Sequence, residues 1–437
     1  MKGSAILPIV LAGLLPILLL AFLASGIGFG LVAWQPPVLW TDTFGNATSR
    51  GDNAIVGVSS DSSGVYSAAY SNYSGLGYPG GSLHLTKYDP NGGLVWTHTV
   101  GNFNADIRAI SMGAGGIYLV GDNVDLPAGV GYVQRFDSTG NRLWTSNSTG
   151  GRVVSATASE VYVAGQSTIQ EYDLKGNLLW TSQIFNTTTS NGEIYSVHAD
   201  GSGAYVAGDF SGNLTGQTPT GGKDVFLVRY GLSGGLIWAN QFGTEFDHAY
   251  SVSSDSTGVY LSGTTYLGAL PGFGWLRKFD FSGNLQWTLR IDSPDGSGAG
   301  DSSILADGSG IYVSINSVAS REYLMKYDHQ GNQAWSFQMG RHGNEIYSVG
   351  RSYRLSLASD ALYVAGSADQ NGNSIGFLSR VSTSPSLVAF GLNPPLSFII
   401  IGGLISGSAI GLVVFRRLRR KKLRPTRVGP SSLPTTD

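Results

Sequence analysis

The chain is 437 residues long; only 13% of them are charged, 63 are glycine and none is cysteine. Without cysteine there is no disulfide framework, no thiolate metal site and no cysteine nucleophile. Lys2 and the C-terminal tail hold nine of the 27 basic residues but one of the 29 acidic ones, which leaves 18 basic against 28 acidic residues in between and disfavours nucleic acid as a partner.

At the N-terminus, Lys2 precedes an apolar stretch from Ala5 to Trp34 that is interrupted by Pro8 and Pro16. Residues 1–34 read as a secretory signal or, if it is not removed, as a membrane anchor. Residues 35–390 are dominated by a repeated signature of the type aromatic-Asp-x-x-Gly-[GN]-x-x-Trp. It runs YDPNGGLVW, FDSTGNRLW, YDLKGNLLW, YGLSGGLIW, FDFSGNLQW and YDHQGNQAW, and ends on Trp96, Trp144, Trp180, Trp238, Trp287 and Trp335. Trp40, in VLWTDTFG, opens the series without a preceding turn, and the intervals from it are 56, 48, 36, 58, 49 and 48 residues. Between the tryptophans stand GVYSAAY, GIYLVG, EVYVAG, GAYVAG, GVYLSG, GIYVSI and ALYVAG, short runs rich in Val, Ile and Tyr that predict strands. DSSG, DGSG and DSTG before several of them predict hairpin turns.

Each unit holds four predicted strands; around Trp238 they are WANQF, AYSVSS, VYLSG and WLRKFD. Four strands at a period of roughly 40 to 50 residues predict the blades of a β-propeller, because a lone sheet cannot cover both its faces and a ring of stacked sheets can. The last unit ends at GFLSRVS (376–382) without a Trp strand, while Trp40 opens the array without partners. The Trp40 strand is therefore expected to complete the final blade, giving an all-β, seven-bladed propeller without free sheet edges. Residues 391–395 form a linker. Residues 396–415, LSFIIIGGLISGSAIGLVVF, are apolar and long enough to cross a bilayer as a helix, and 416–437 begin with a run holding eight basic residues that predicts a cytoplasmic tail.

LTGQTPTGGKDVFLVRYGLSGGLIWANQFGTEFDHAYSVSSDSTGVYLSGTT (214–265) resembles the SBBP repeat of bacterial and archaeal envelope proteins, through its GGxDxFLxRY strand, GxLxWxxQFGT strand and D-x-x-GVYxxG hairpin. The resemblance extends over about residues 38–383 and is weakest in the short third unit. It implies a propeller scaffold at the cell surface and fixes no ligand.

Chemistry-bearing motifs are scarce. The histidines (His84, His98, His198, His248, His329 and His342) have no metal-ligand spacing. GQTPTGGKD (216–224) fails as a phosphate loop because Asp224 replaces the required Ser or Thr and a strand follows. Asp292, Asp295 and Asp301 share a Gly-rich loop but lack the EF-hand order, so a solvated turn is favoured over a calcium site. No metal and no cofactor is expected. Sequons at Asn46, Asn72, Asn147, Asn186 and Asn213 are glycosylation acceptors if the chain is exported.

Charge and aromatic side chains each show a pattern around the ring. Third strands end on Lys87, Arg135, Arg229, Lys278, Lys326 and Arg380, expected to pair with turn aspartates such as Asp61, Asp200, Asp255 and Asp307. The connections into the next unit carry Asp52, Asp106, Glu193, Asp247, Asp301 and Glu345. In the third unit the two charges are exchanged, with Arg152 at the acidic place and Glu171 at the basic one. The loops between second and third strands share one face and carry Tyr73, Tyr78, Phe210, Tyr266 and Phe273, a mixture suited to protein or carbohydrate contact. Trp275 recurs as an aromatic position and reads as packing. The expectation is a membrane-anchored cell-surface propeller that binds an extracellular protein or glycan and is not an enzyme. The alternatives are a structural envelope component and, third, a quinoprotein-like enzyme with its site in the central channel.

Overall fold

In the computed structural model the described residues are 37–44, 52–73, 82–102, 105–113, 115–123, 130–186, 191–214, 217, 222–243, 246–267, 270–317, 321–339, 354–358, 361–370 and 373–383. The signal or anchor, the linker, the apolar run at 396–415, the basic tail, Asn46, Tyr78, His342 and Glu345 lie outside them. Among the described residues, 28 strands form seven four-stranded antiparallel sheets, the blades of a propeller. Their inner strands are Asp52–Asp61, Ala105–Gly113, Val153–Ala156, Asn191–Ala199, Asp247–Asp255, Ala299–Asp307 and Arg354–Ala358. Each inner strand lies against the next, and the seventh against the first. A central cavity of about 160 Å³ takes lining residues from all seven, among them Val56, Ile110, Val154, Ser251 and Leu355.

The ring closes as the repeat predicts. Blades one to six are consecutive, whereas the seventh combines Arg354–Ala358, Ala361–Gln370 and Asn373–Ser382 with Val38–Phe44 as its outer strand. Thr41 faces Ser379 in that pairing, with their hydroxyl oxygens 2.8 Å apart, and the Ser382 amide donates to the Pro37 carbonyl at 3.0 Å. Trp40 also stands 6.0 Å from Tyr363, the separation that Trp96 keeps from Tyr66 and Trp180 from Tyr162 inside their own blades.

The signature residues hold blade to blade. In one turn, Asp137 Oδ1 accepts the amides of Thr139 and Asn141, which folds the chain so that Gly140 takes a φ of 85°. That glycine lies against His98 and Trp96 of the preceding blade, where a side chain would collide. The Trp96 indole N–H donates to the Ser138 carbonyl in the same turn at 3.3 Å. Trp40 to Pro90, Trp144 to Leu174, Trp180 to Leu232, Trp238 to Phe281 and Trp287 to His329 repeat the latch at 3.0–3.3 Å. Inner strands are joined differently: Ser59, Ser111, Ser155, Ser196 and Ser251 accept through Oγ a backbone N–H of the next inner strand. Six of the seven blades thus satisfy polar backbone of the next one in the ring.

The basic rim differs from the direct pairing expected from sequence. Lys87 Nζ donates to Ser63 Oγ and Lys326 Nζ to Ser309 Oγ, and it is these hydroxyls that bond Asp61 and Asp307. Lys87, Arg135, Arg229, Lys278 and Lys326 also lie 4.7–5.7 Å from the ring centres of buried strand tyrosines. The turn aspartates reach the lysines through a hydroxyl, and cation–π contact takes the place of a direct ion pair.

Candidate functional site

Inner strands begin at the end of the blades where the connections between blades and the second-to-third-strand loops also lie. We call this the loop face; the hairpin turns occupy the opposite, turn face. Near the loop face the inner strands bulge. Pairing skips Val56, Arg108, Tyr195 and Tyr250 in blades one, two, four and five, and Gly300 and Asp301 in blade six. A bulge leaves a residue outside the ladder and re-aims its side chain. Four of these residues, Arg108, Tyr195, Tyr250 and Asp301, line a cavity of about 380 Å³ together with Arg152, Glu193 and Arg354. This is a channel mouth.

Its charges are held in place. Arg108 reaches Asp106 at 3.3 Å and Asp122 at 3.0 Å, and Arg152 reaches Glu193 of the next blade at 3.0 Å. Burial pushes the Glu193 carboxyl up, but the hydrogen bond and charge of Arg152 outweigh that and hold it below its ordinary value. The two exchanged charges of the third blade therefore have separate causes. Arg152 serves its neighbour's acid at the mouth, while Glu171 lies buried at the far end of the sheet, paired in register with Tyr162.

An aromatic wall rises from blades four and five. Tyr195 meets Tyr250 edge-on at 5.9 Å, His248 stacks on Tyr250 at 6.1 Å, and Tyr266 stands edge-on to His248 at 5.5 Å. His248 Nδ1 lies 2.6 Å from the fully buried Asp209, which also holds Lys223 at 2.7 Å. Burial, with Asp209 beside Tyr195 and Asp301 beside Tyr250, raises both phenols far above their ordinary range. They remain neutral hydroxyls at physiological pH, and the single O–H of Tyr195 is given to the Glu193 carboxylate, which leaves its oxygen to accept.

Of the residues that sequence assigns to the loop face, Tyr266 belongs to this wall. Phe273 is half-buried under Arg290, whose guanidinium stands 4.6 Å from its ring. Phe210 is not at the surface: it is fully buried between Phe185 and Phe226, in the core of blade four. Tyr73 ends the second strand of blade one, paired with Asp52, and Asn72 precedes it in that strand. Trp275 is packing, as its recurrence predicts. Lys223 of the Gly-rich loop is engaged by Asp209, consistent with the rejection of a phosphate loop there. Asn147, Asn186 and Asn213 are exposed. Asp292 takes Arg290, Asp295 takes Ser293, Ser297 and Ser317, and Asp301 lines the mouth, so the three do not converge. No group of three or more His, Cys, Asp or Glu side chains among the described residues could hold a metal ion.

A buried acid stands behind the mouth. Glu322 receives the Ser314 hydroxyl on Oε1, while Oε2 has no hydrogen-bond partner among the described residues. Burial, reinforced by Asp301 and only partly offset by Ser314, raises its carboxyl well above the ordinary range. Folding therefore takes up a proton here. This contribution to stability is complete below the unfolded value and is lost as pH rises through the folded one. Glu322→Gln, which cannot ionise, is expected to match the parent in urea unfolding at pH 4 and to exceed it by about 1–3 kcal/mol at pH 7. A constant difference between the two pH values would contradict a protonated Glu322.

Among known proteins, the family model described as outer membrane protein assembly factor BamB matches residues 80–226. No curated protein matches the sequence. Among solved structures, the chain is similar to Raptor from Chaetomium thermophilum, with 10% identity and a TM-score of 0.52, over 80% of this chain and 29% of that one. It is similar to the Pan2 WD40 domain from Neurospora crassa, with 10% identity and a TM-score of 0.49, over 79% and 96% of the two chains. The plexin A4 extracellular region gives 9% identity and a TM-score of 0.49, over 80% and 47%. The likeness is one of fold.

Proposed function

We propose that the chain is a membrane-anchored, cell-surface propeller of the SBBP type, and that its loop face binds an extracellular protein or glycan without catalysing a reaction. The observation that carries this reading is the channel mouth. Bulged strands present Tyr195 and Tyr250 beside ion-paired arginines in a depression of about 380 Å³. Neutral phenols on a rigid sheet offer apolar ring faces and hydrogen-bonding oxygens at little entropic cost, as binding surfaces do. The arginines are balanced by Asp106, Asp122, Glu193 and Asp301, which favours a polar, uncharged or mixed-charge ligand. The match to an outer membrane protein assembly factor is in keeping with an envelope scaffold.

The test is to screen the full-length protein, reconstituted in lipid nanodiscs, on glycan and peptide arrays beside a Tyr195→Ala/Tyr250→Ala variant. Binding weakened by about 30-fold or more is expected, the scale of hot-spot truncation. A variant that keeps every interaction of the parent would remove the mouth from consideration.

A further inference from the structure

The apolar side chains that the fold leaves outside are gathered at one end. Thirteen large hydrophobic residues among those described are 40–63% exposed. Ten of them occupy the two positions before a signature tryptophan, as Leu94 and Val95 do before Trp96 and Leu178 and Leu179 before Trp180. Leu232 and Phe281 lie in the adjoining hairpin turns, and Phe246 alone lies toward the loop face. The local cause is again a bulge. Pairing of each outer strand skips one residue at its start, Leu39, Val95, Leu143, Leu179 and Ile237 among them, and turns it outward. Outer strands begin at the turn face, so these residues ring its rim through six blades. Blade six breaks the ring with Gln333 and Ala334.

Both ends of the propeller leave through the same rim. Val38 begins the outer strand of blade seven and Ser382 ends the adjacent third strand, joined through Pro37 at 3.0 Å. Four residues before Val38 the N-terminal apolar stretch ends at Trp34, and fourteen residues beyond Ser382 the apolar run of 396–415 begins. Fourteen residues span at most about 50 Å, so a membrane-embedded run would keep this rim close to the lipid. Asn147, Asn186 and Asn213 lie toward the loop-face end of their strands or in its connections, away from the rim.

The geometry points to the turn-face rim as a lipid-contacting surface: the ring of Leu, Val and Ile side chains rests in the interface of a bilayer and holds the channel mouth facing away from it. This rests on the membrane-anchored reading proposed above. A ring of apolar residues around a disc suits a planar interface, whereas a protein partner of ordinary size would cover one sector of it. Turn carboxylates such as Asp137, Asp173 and Asp280, held ionised, share this end with the cations Lys87, Arg135, Arg229, Lys278 and Lys326, a mixed-charge surface suited to zwitterionic headgroups.

The natural absence of cysteine makes the test direct. Single Leu94→Cys, Leu143→Cys, Leu236→Cys and Leu285→Cys variants of the full-length protein, with Phe246→Cys as the opposite-face control, carry a polarity-sensitive fluorophore in phosphatidylcholine vesicles. A shallow spin-labelled phosphatidylcholine is the quencher, and an alkaline wash separately reports anchoring. The expected result is at least about twofold quenching at the four rim positions and none at 246. Anchored protein with unquenched rim labels overturns the inference and leaves the anchoring intact. Quenched rim labels on protein that the wash removes support the rim contact and overturn the anchoring. Protein removed by the wash, with its rim labels unquenched, overturns both. Rim labels that shift to the blue without quenching indicate contact between copies of the chain and also overturn the inference.

Discussion

A disulfide between positions 41 and 379 is expected to raise the stability of the propeller by about 2–4 kcal/mol over the reduced form of the same variant. Thr41 and Ser379 are register partners with side-chain oxygens 2.8 Å apart, close enough for Thr41→Cys/Ser379→Cys to be bridged without moving the backbone. The bond would join residues 338 apart in sequence, so it removes a large share of the entropy of the unfolded chain. No other cysteine competes for pairing. The double variant should unfold at a higher denaturant concentration when oxidised and near the parent value when reduced. Equal midpoints in the two states, with the disulfide formed, would mean that the N-terminal strand detaches before the ring opens and that closure contributes little to global stability.

The architecture is legible in the sequence because the residues that join blades are the residues that repeat. Asp137, Gly140 and Trp96 serve one latch, and its elements recur through most of the ring, so the spacing of tryptophans counts the blades directly. The closing strand is legible for the same reason, since Trp40 has the form of a latch residue with no blade of its own. The channel mouth is not legible. It is built by bulges, and a bulge is invisible to a period-two reading of a strand: AYSVSS predicts alternation, while the skipped Tyr250 leaves it. Aligning the inner strands on their common Tyr-Ser-Val, as GEIYSV on DHAYSV, exposes the aromatic place that Tyr195 and Tyr250 share, with the two acids one position out of step. Phe210 departs from its expected loop because a long second strand carries it into the core between Phe185 and Phe226. At the basic rim, hydroxyl relays replace the expected direct ion pairs because the hairpin-turn serines and threonines stand between the cations and the carboxylates.

The glycine of the repeated VYVAG strand provides the second large effect. Gly121, Gly165, Gly208 and Gly263 each back onto a carbonyl of their own inner strand or of the segment leading into it. At Gly263 a methyl group would collide with the His248 carbonyl oxygen and with the Trp275 indole, one backbone and the other a buried ring with no room to withdraw. Gly263→Ala is therefore expected to cost about 3 kcal/mol or more, at the top of the range for overpacking. The displaced strand carries the bulge that aims Tyr250, so the substitution should also weaken any ligand held at the mouth. Gly308, in a hairpin turn where an added methyl would meet nothing within 4 Å, supplies the contrast, and Gly308→Ala should stay within about 0.5 kcal/mol of the parent. Urea unfolding of the two variants measures both expectations. If Gly263→Ala proved as mild as Gly308→Ala, the close approach of second and inner strands would not be what fixes the bulge, and the placement of the aromatic wall would need another cause.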